Sequence, residues 1–144
     1  MRQSFTLFFY GTLRAAEVRR AVLGADIPED RLTPASLNGY QVRRVDGALY
    51  PMLVKAAGGR VIGMIAAGLN RDALARLDRF EGRHYTRHAL SVVTDAGPVT
   101  ADVYLPDEAM SAAEPWDFDI WYKRDMKSFL EREFNPAGVR PPGP

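Results

Sequence analysis

The chain contains no cysteine, which excludes disulfides, thiolate nucleophiles and Cys-based zinc sites. That absence is compatible with the cytoplasm, the expected location. No uninterrupted apolar stretch is long enough to span a bilayer, so no membrane association is expected. The formal net charge is only +1, and no basic run carries interleaved aromatic residues. Nucleic acid is therefore not implied as a partner. Gly11-Thr12 lacks the glycine spacing and the lysine of a phosphate loop. The only two histidines, His84 and His88, have no third ligand and no H-E-x-x-H pattern, so no metal is expected. The serines have no His and Asp in motif context, and no triad follows from them. The start, Met1-Arg2-Gln3-Ser4, lacks a signal-peptide cleavage site and is expected to be mature protein.

What is present is a chain of 144 residues, 47% of them hydrophobic, enough for one folded domain with a real core. That domain is expected over residues 1–134. Residues 135–144 are rich in Pro and Gly and are expected to be disordered. Phe5 to Tyr10 reads as a buried first strand interrupted by Gly11. A short helix is expected from Glu17 to Leu23, with Val18 and Val22 inward and Gly24 ending it. Ala25 to Pro34 reads as loop. Strands follow over Ser36–Val45, Ala48–Val54 and Arg60–Leu69, with turns at Asp46-Gly47 and Gly58-Gly59. Pro51 marks an edge or a bulge. Thr86–Thr94 and Val99–Leu105 form a further hairpin. Phe118, Tyr122, Met126, Phe129 and Leu130 recur at helical spacing, and burial of Trp121, Met126 and Phe129 is expected. The pattern is α+β: about six strands in a mixed, mostly antiparallel sheet, with two or three helices. The helix after Leu69 joins two strands, so parallel pairing can enter there.

That helix is the informative stretch. Asn70 is an N-cap residue, and the spacing predicts a helix from Arg71 to Glu81. Leu74, Leu77, Asp78 and Glu81 share one face, apolar below and carrying two carboxylates above. Gly82 is placed to stop the helix. Glu81 then lies at the negative end of the helix dipole on the inward side, and both facts would raise its pKa. Perturbed carboxylates gather at active sites, although a frayed, solvated helix end is the plainer alternative. Tyr10-Gly11-Thr12-Leu13 is the second candidate. A strand that ends in Gly can approach a ligand closely, and amides from Gly11 to Arg14 could bind an anion.

Four motifs together, Tyr10-Gly11-Thr12-Leu13, Tyr50-Pro51-Met52-Leu53-Val54, Leu77-Asp78-Arg79-Phe80-Glu81-Gly82 and Tyr85, resemble the gamma-glutamylcyclotransferase-like superfamily. The nearer resemblance is to its gamma-glutamylamine cyclotransferase-like branch, whose members begin with YGTL. It covers roughly Phe5 to Tyr104. It implies a small mixed β-barrel flanked by helices, and release of 5-oxoproline from a gamma-glutamyl amine, amide or peptide without metal or cofactor. By position it implies that Glu81 is the catalytic acid/base and that Tyr10, Gly11, Thr12 and Leu13 hold the gamma-glutamyl group. Tyr50, Pro51 and Tyr85 match positions near the pocket. The loop reads YGTL where the glutathione-cycle enzymes have YGSN, which separates this chain from their gamma-glutamyl amino-acid substrates. The segment Trp116 to Tyr122 has no counterpart in the amine-specific enzymes, and Trp116 and Tyr122 are expected at the pocket rim. The alternative is a non-catalytic module on the same fold that binds a small carboxylate or a partner. No oligomeric state follows from the sequence.

Overall fold

The computed structural model describes residues 4–107 and 110–134. The Pro/Gly-rich segment 135–144, expected to be disordered, lies outside the described residues. In chain order the elements are β1 (Phe5–Phe9), α1 (Ala16–Leu23), β2 (Leu32–Val45), β3 (Pro51–Leu69), α2 (Arg71–Glu81), β4 (Tyr85–Thr94), β5 (Gly97–Pro106), β6 (Ala112–Pro115), α3 (Phe118–Arg124) and α4 (Met126–Glu133). Short 3-10 turns cover Thr12–Arg14 and Glu29–Arg31. The class is α+β, with six strands and four helices among the described residues.

The strand order is β3-β1-β5-β4-β2-β6, and β3 also pairs with β2. The first five strands therefore close into a ring, with β6 added outside β2. Alternation along the strands separates two cores. Phe8, Tyr10, Leu37, Val61, Val92 and Val103, drawn from all five ring strands or their ends, cluster together as the ring's interior. Leu7, Phe9 and Tyr104 point the other way, into a second cluster with Leu13, Val18, Leu77, Trp121 and Phe129. The helices are thus held against the outer face of β1 and β5.

Four features differ from the sequence reading. Gly58-Gly59 is no turn between two strands. It lies inside a single 19-residue β3, where the register against β2 shifts between Asn38 and Tyr40. Gly58 has φ +76°, and a Cβ on Gly59 would stand 2.4 Å from the Tyr40 carbonyl oxygen, so a glycine pair serves a bulge as well as a turn. The sixth strand is instead β6, a four-residue piece that carries no periodic signal. Parallel pairing enters between β1 and β5, at Leu7 and Asp102, rather than across α2. The C-terminal helical stripe also breaks at Asp125, into α3 and α4.

Pro51 is the first residue of β3, where its missing N–H costs no ladder bond. Gly63 lies against the end of β1, with no room for a side chain. A Cβ there would lie 2.3 Å from the Phe9 carbonyl oxygen and 2.9 Å from the Phe8 ring. Gly63→Ala is therefore expected to cost about 1–3 kcal/mol through overpacking. For a domain of this size that is a fall in melting temperature of roughly 2–4 °C per kcal/mol. Thermal denaturation followed by circular dichroism checks this, and an unchanged melting temperature contradicts the close approach.

Candidate active site

Glu81 is placed by a helix whose ends are both set locally. Asn70 Oδ1 accepts the Ala73 amide at 2.8 Å. At the other end the Gly82 amide donates to the Asp78 carbonyl at 3.0 Å, and Gly82 leaves the helix at φ +84°. Leu74, Leu77 and Phe80 are buried, which rolls the last turn so that the half-buried Glu81 borders a cavity. The opposite wall is the turn that follows β1. Arg14 N donates to Gly11 O and Ala15 N to Thr12 O, each at 3.0 Å. The amides of Thr12 and Leu13 precede the first of these bonds and have no partner within the turn. Arg14, which the sequence had grouped with the anion-binding amides, spends its N–H on closing the turn.

One cavity is lined by Tyr10, Gly11, Thr12, Leu13, Tyr50, Pro51, Glu81 and Tyr85, segments far apart in sequence. Gly11 packs on Pro51 so closely that a Cβ would lie 2.9 Å from the proline Cγ. Phe8, Phe9, Phe80, Phe129 and Glu133 complete the lining. Trp116 and Tyr122, expected at the rim, are not among the lining residues. Trp116 instead packs on Phe118 and Trp121, and the Tyr122 hydroxyl donates to the Glu17 carboxylate. The C-terminal contribution comes from Phe129, at the core of α4, and from Glu133, one turn beyond it. Trp121 and Phe129 are buried as expected, and Met126 is partly so.

The hydrogen bonds of the phenols give the cavity its character. Tyr10 Oη donates to the Tyr104 carbonyl at 2.8 Å, and Tyr85 Oη donates to the Pro51 carbonyl at 2.9 Å. A phenol has a single proton, so what each retains is acceptor capacity. Burial pushes the Tyr10 and Tyr85 hydroxyls well above the ordinary phenol value, and the nearby Glu81 carboxylate adds to the shift. Both phenols stay neutral at physiological pH. Among the described residues, the carboxyl groups on the lining are those of Glu81 and Glu133, and the lining holds no Lys, Arg or His.

The turn itself is braced from behind by a residue the sequence reading passed over. Arg19 is 5% exposed, and its Nη1 donates to the Leu13 carbonyl at 3.0 Å and to the Arg14 carbonyl at 2.8 Å. Its Nε donates to Asp26 Oδ1 at 2.7 Å. A signal existed: Arg19 lies beside Val18 and three residues before Val22, on the side of α1 that the two valines bury. Above the turn the Arg14 guanidinium sits 4.3 Å from the Phe118 ring centroid, and Trp121 Nε1 donates to the Leu49 carbonyl at 2.7 Å. Phe118 and Trp121 therefore tie the turn after β1 to the chain just before Tyr50. His84 pairs with Asp107 at the surface. Among the described residues there is no group of three or more His, Asp or Glu that could hold a metal, and no helix long and apolar enough to cross a membrane.

Comparison with known proteins gives the family and the fold. An AIG2-like protein B of Arabidopsis thaliana is 29% identical over 147 aligned positions, covering 94% of this chain and 84% of that protein. A solution structure of an Arabidopsis thaliana protein superimposes with a TM-score of 0.68 at 27% identity, over 91% of this chain and 80% of the other. An AIG2-like protein from Mus musculus shares the fold, with a TM-score of 0.60 at 19% identity over 99% and 98% of the two chains. Residues 7–123 match the family described as gamma-glutamyl cyclotransferase, AIG2-like, and the chain belongs to that family.

Proposed function

We propose that the protein is a cofactor-independent gamma-glutamyl cyclotransferase that releases 5-oxoproline from a gamma-glutamyl amine, amide or peptide, with Glu81 as its acid/base. The observation that carries this reading is the single cavity shared by the Glu81 carboxyl and the Tyr10–Leu13 turn. The substrate's α-ammonium gives a proton to Glu81, and its nitrogen attacks the γ-carbonyl carbon of the same molecule. The bond from that carbon to the amine nitrogen breaks as Glu81 returns the proton to the departing amine, and the second proton that the attacking nitrogen loses on becoming the lactam N–H follows through the same carboxylate, so that the amine leaves as an ammonium ion. One carboxyl group can serve in both directions when its pKa lies near the working pH. The amides of Thr12 and Leu13 are suited to the substrate carboxylate or to the oxyanion that develops on the γ-carbonyl. The acceptor oxygens of Tyr10 and Tyr85 are suited to the ammonium, and Gly11, Tyr50 and Pro51 shape the wall that keeps the γ-glutamyl group folded back on itself.

The rival reading, a module that only binds a small carboxylate, sits poorly with a lining that includes two carboxyl groups, since an anion gains nothing from them. Incubation of the purified protein with a panel of gamma-glutamyl amines, amides and peptides separates the two. Release of 5-oxoproline from at least one compound is expected. Saturable binding across the panel without any 5-oxoproline would establish the binding module instead.

A further inference from the structure

Asp78 and Glu81 share a helical face, yet they open on opposite sides of one wall. The Asp78 carboxylate accepts hydrogen bonds from Arg87 Nε at 2.7 Å, Arg87 Nη2 at 3.3 Å and Tyr104 Oη at 2.7 Å. Arg87 Nη1 donates to Asp102 Oδ2 at 3.0 Å, and Asp102 is buried. Strand register explains the convergence: Arg87 on β4 lies opposite Tyr104 on β5, and Ala89 lies opposite Asp102. The guanidinium thus spans two successive outward positions of β5. The same Tyr104 accepts the Tyr10 hydroxyl on its backbone carbonyl. Asp78, Arg87 and Tyr104 border a shallow depression of their own, and none of them is on the cavity lining.

We infer that Arg87, together with Asp78 and Tyr104, is a positioning unit for Glu81. It anchors the last turn of α2 to β5 and so fixes the direction in which the Glu81 carboxyl enters the cavity. This rests on the acid/base role proposed for Glu81. The final turn of a helix leaves its last carbonyls without intrahelical partners and frays. Asp78 counters this twice: its carbonyl accepts the Gly82 amide, and its carboxylate is gripped in a two-bonded fork by the Arg87 guanidinium. Residues 79–81 follow directly, and Phe80 among them packs edge-on against Phe129 and stacks on Phe134. The Arg87 and Asp78 side chains are 28% and 42% exposed, and pairs that exposed add little stability. Proton transfer is far more sensitive to placement, since a misplacement of about 1 Å costs on the order of 10²-fold in rate. For Asp78→Asn the effect is therefore expected in turnover rather than in the melting temperature, whereas Arg87→Met also removes a partner of the buried Asp102 and is expected to lower the melting temperature as well.

The test uses the full chain and the variants Asp78→Asn, Arg87→Met and Arg87→Lys. Asp78→Asn keeps the shape of the side chain, and Arg87→Lys keeps one hydrogen bond to Asp78. With a substrate that the wild type turns over, kcat is expected to fall about 10–100-fold in Asp78→Asn and Arg87→Met, with KM within about threefold. Arg87→Lys is expected to recover part of the loss. A second readout needs no turnover: nuclear Overhauser effects between the Glu81 γ-protons and the rings of Tyr10 and Tyr85 are expected in the wild type and are expected to vanish in Asp78→Asn. A wild type that shows these Overhauser effects but releases no 5-oxoproline removes the proposed reaction. Their disappearance in Asp78→Asn still supports the positioning unit in that case. Unchanged kcat or unchanged Overhauser effects in a folded Asp78→Asn protein overturns the inference.

Discussion

Glu81→Gln is expected to lower turnover by about 10²-fold or more while substrate binding survives. Glutamine keeps the size and much of the hydrogen-bonding capacity of the side chain, but it cannot carry the proton from the substrate's α-nitrogen to the departing amine. Binding survives because the turn after β1 and the aromatic wall hold the rest of the substrate. The melting temperature is expected to hold or rise. The substitution replaces a half-buried ionisable group at a helix C-terminus with a neutral one of the same shape. A Glu81 that serves only to cap or to pair predicts the reverse, a lower melting temperature with unchanged turnover. Asp78 is unsuitable as the control carboxylate because Arg87 and Tyr104 hold it. Asp72, exposed in the first turn of α2 and paired with Arg76, is the better one. Wild-type turnover in a folded Glu81→Gln protein would remove Glu81 from the mechanism. The measurements are 5-oxoproline release, ligand affinity and thermal denaturation on both variants.

Arg19→Met is expected to produce the largest loss of stability. Methionine fills much of the same space but takes the guanidinium donor from the Leu13 and Arg14 carbonyls and from the Asp26 carboxylate, which keeps the Ile27 amide. Breaking a buried ion pair by removing one partner costs about 3–5 kcal/mol. Asp26 retains 29% exposure, which places the expectation at about 3 kcal/mol, the low end. At about 2–4 °C per kcal/mol the melting temperature falls by roughly 6–12 °C. The loss also depends on pH in a defined direction. The hydrogen bond from Arg19 holds the Asp26 carboxyl below its ordinary value. A carboxyl with a depressed folded pKa contributes stability above its unfolded pKa of about 3.9 and loses that contribution as pH falls through the folded value. The gap between wild type and Arg19→Met should accordingly be widest near neutrality and narrow in acid below about pH 4. A constant gap from about pH 7 to about pH 3 would mean that the ion pair adds nothing beyond the carbonyl hydrogen bonds.

What the sequence disclosed about this fold was mainly what is encoded within a few residues. The cap at Asn70, the stop at Gly82 and the buried face through Leu74 and Leu77 are local, and the helix begins and ends where they place it. The β4–β5 hairpin is legible for the same reason. The family motifs were readable as well, although the cavity that gathers them depends on long-range packing. The divergence of Asp78 and Glu81 was not legible. Helical periodicity assigns both to one face, and only the strand that follows, with Arg87 opposite Tyr104, decides that they look in different directions. The parallel pairing of β1 with β5 was equally hidden, because apolar β1 carries no mark of which strands will flank it. Glu133 lies past the last apolar residue of a helical stripe, where a carboxylate ordinarily reads as solvated.

The ring closure has a consequence for the order in which the molecule assembles. β1 precedes the other strands along the chain, yet its partners are β3, through Leu69 and Ile65, and β5, through Asp102. The β2–β3 and β4–β5 hairpins join neighbours in sequence and close short loops, whereas the pairings of β1 span about sixty and ninety-five residues and carry the larger entropy of loop closure. Until β5 has been synthesised, Phe8 and Phe9 have no complete sheet to enter, and an apolar strand in that state is open to misassociation. The Tyr10–Leu13 turn inherits the delay, since it is the direct continuation of β1. The last wall, Phe129 and Glu133, comes from α4, the last element in chain order among the described residues. A nascent chain thus holds its two hairpins well before it holds a cavity, and the pocket appears only when the first strand and the last helix have both been captured.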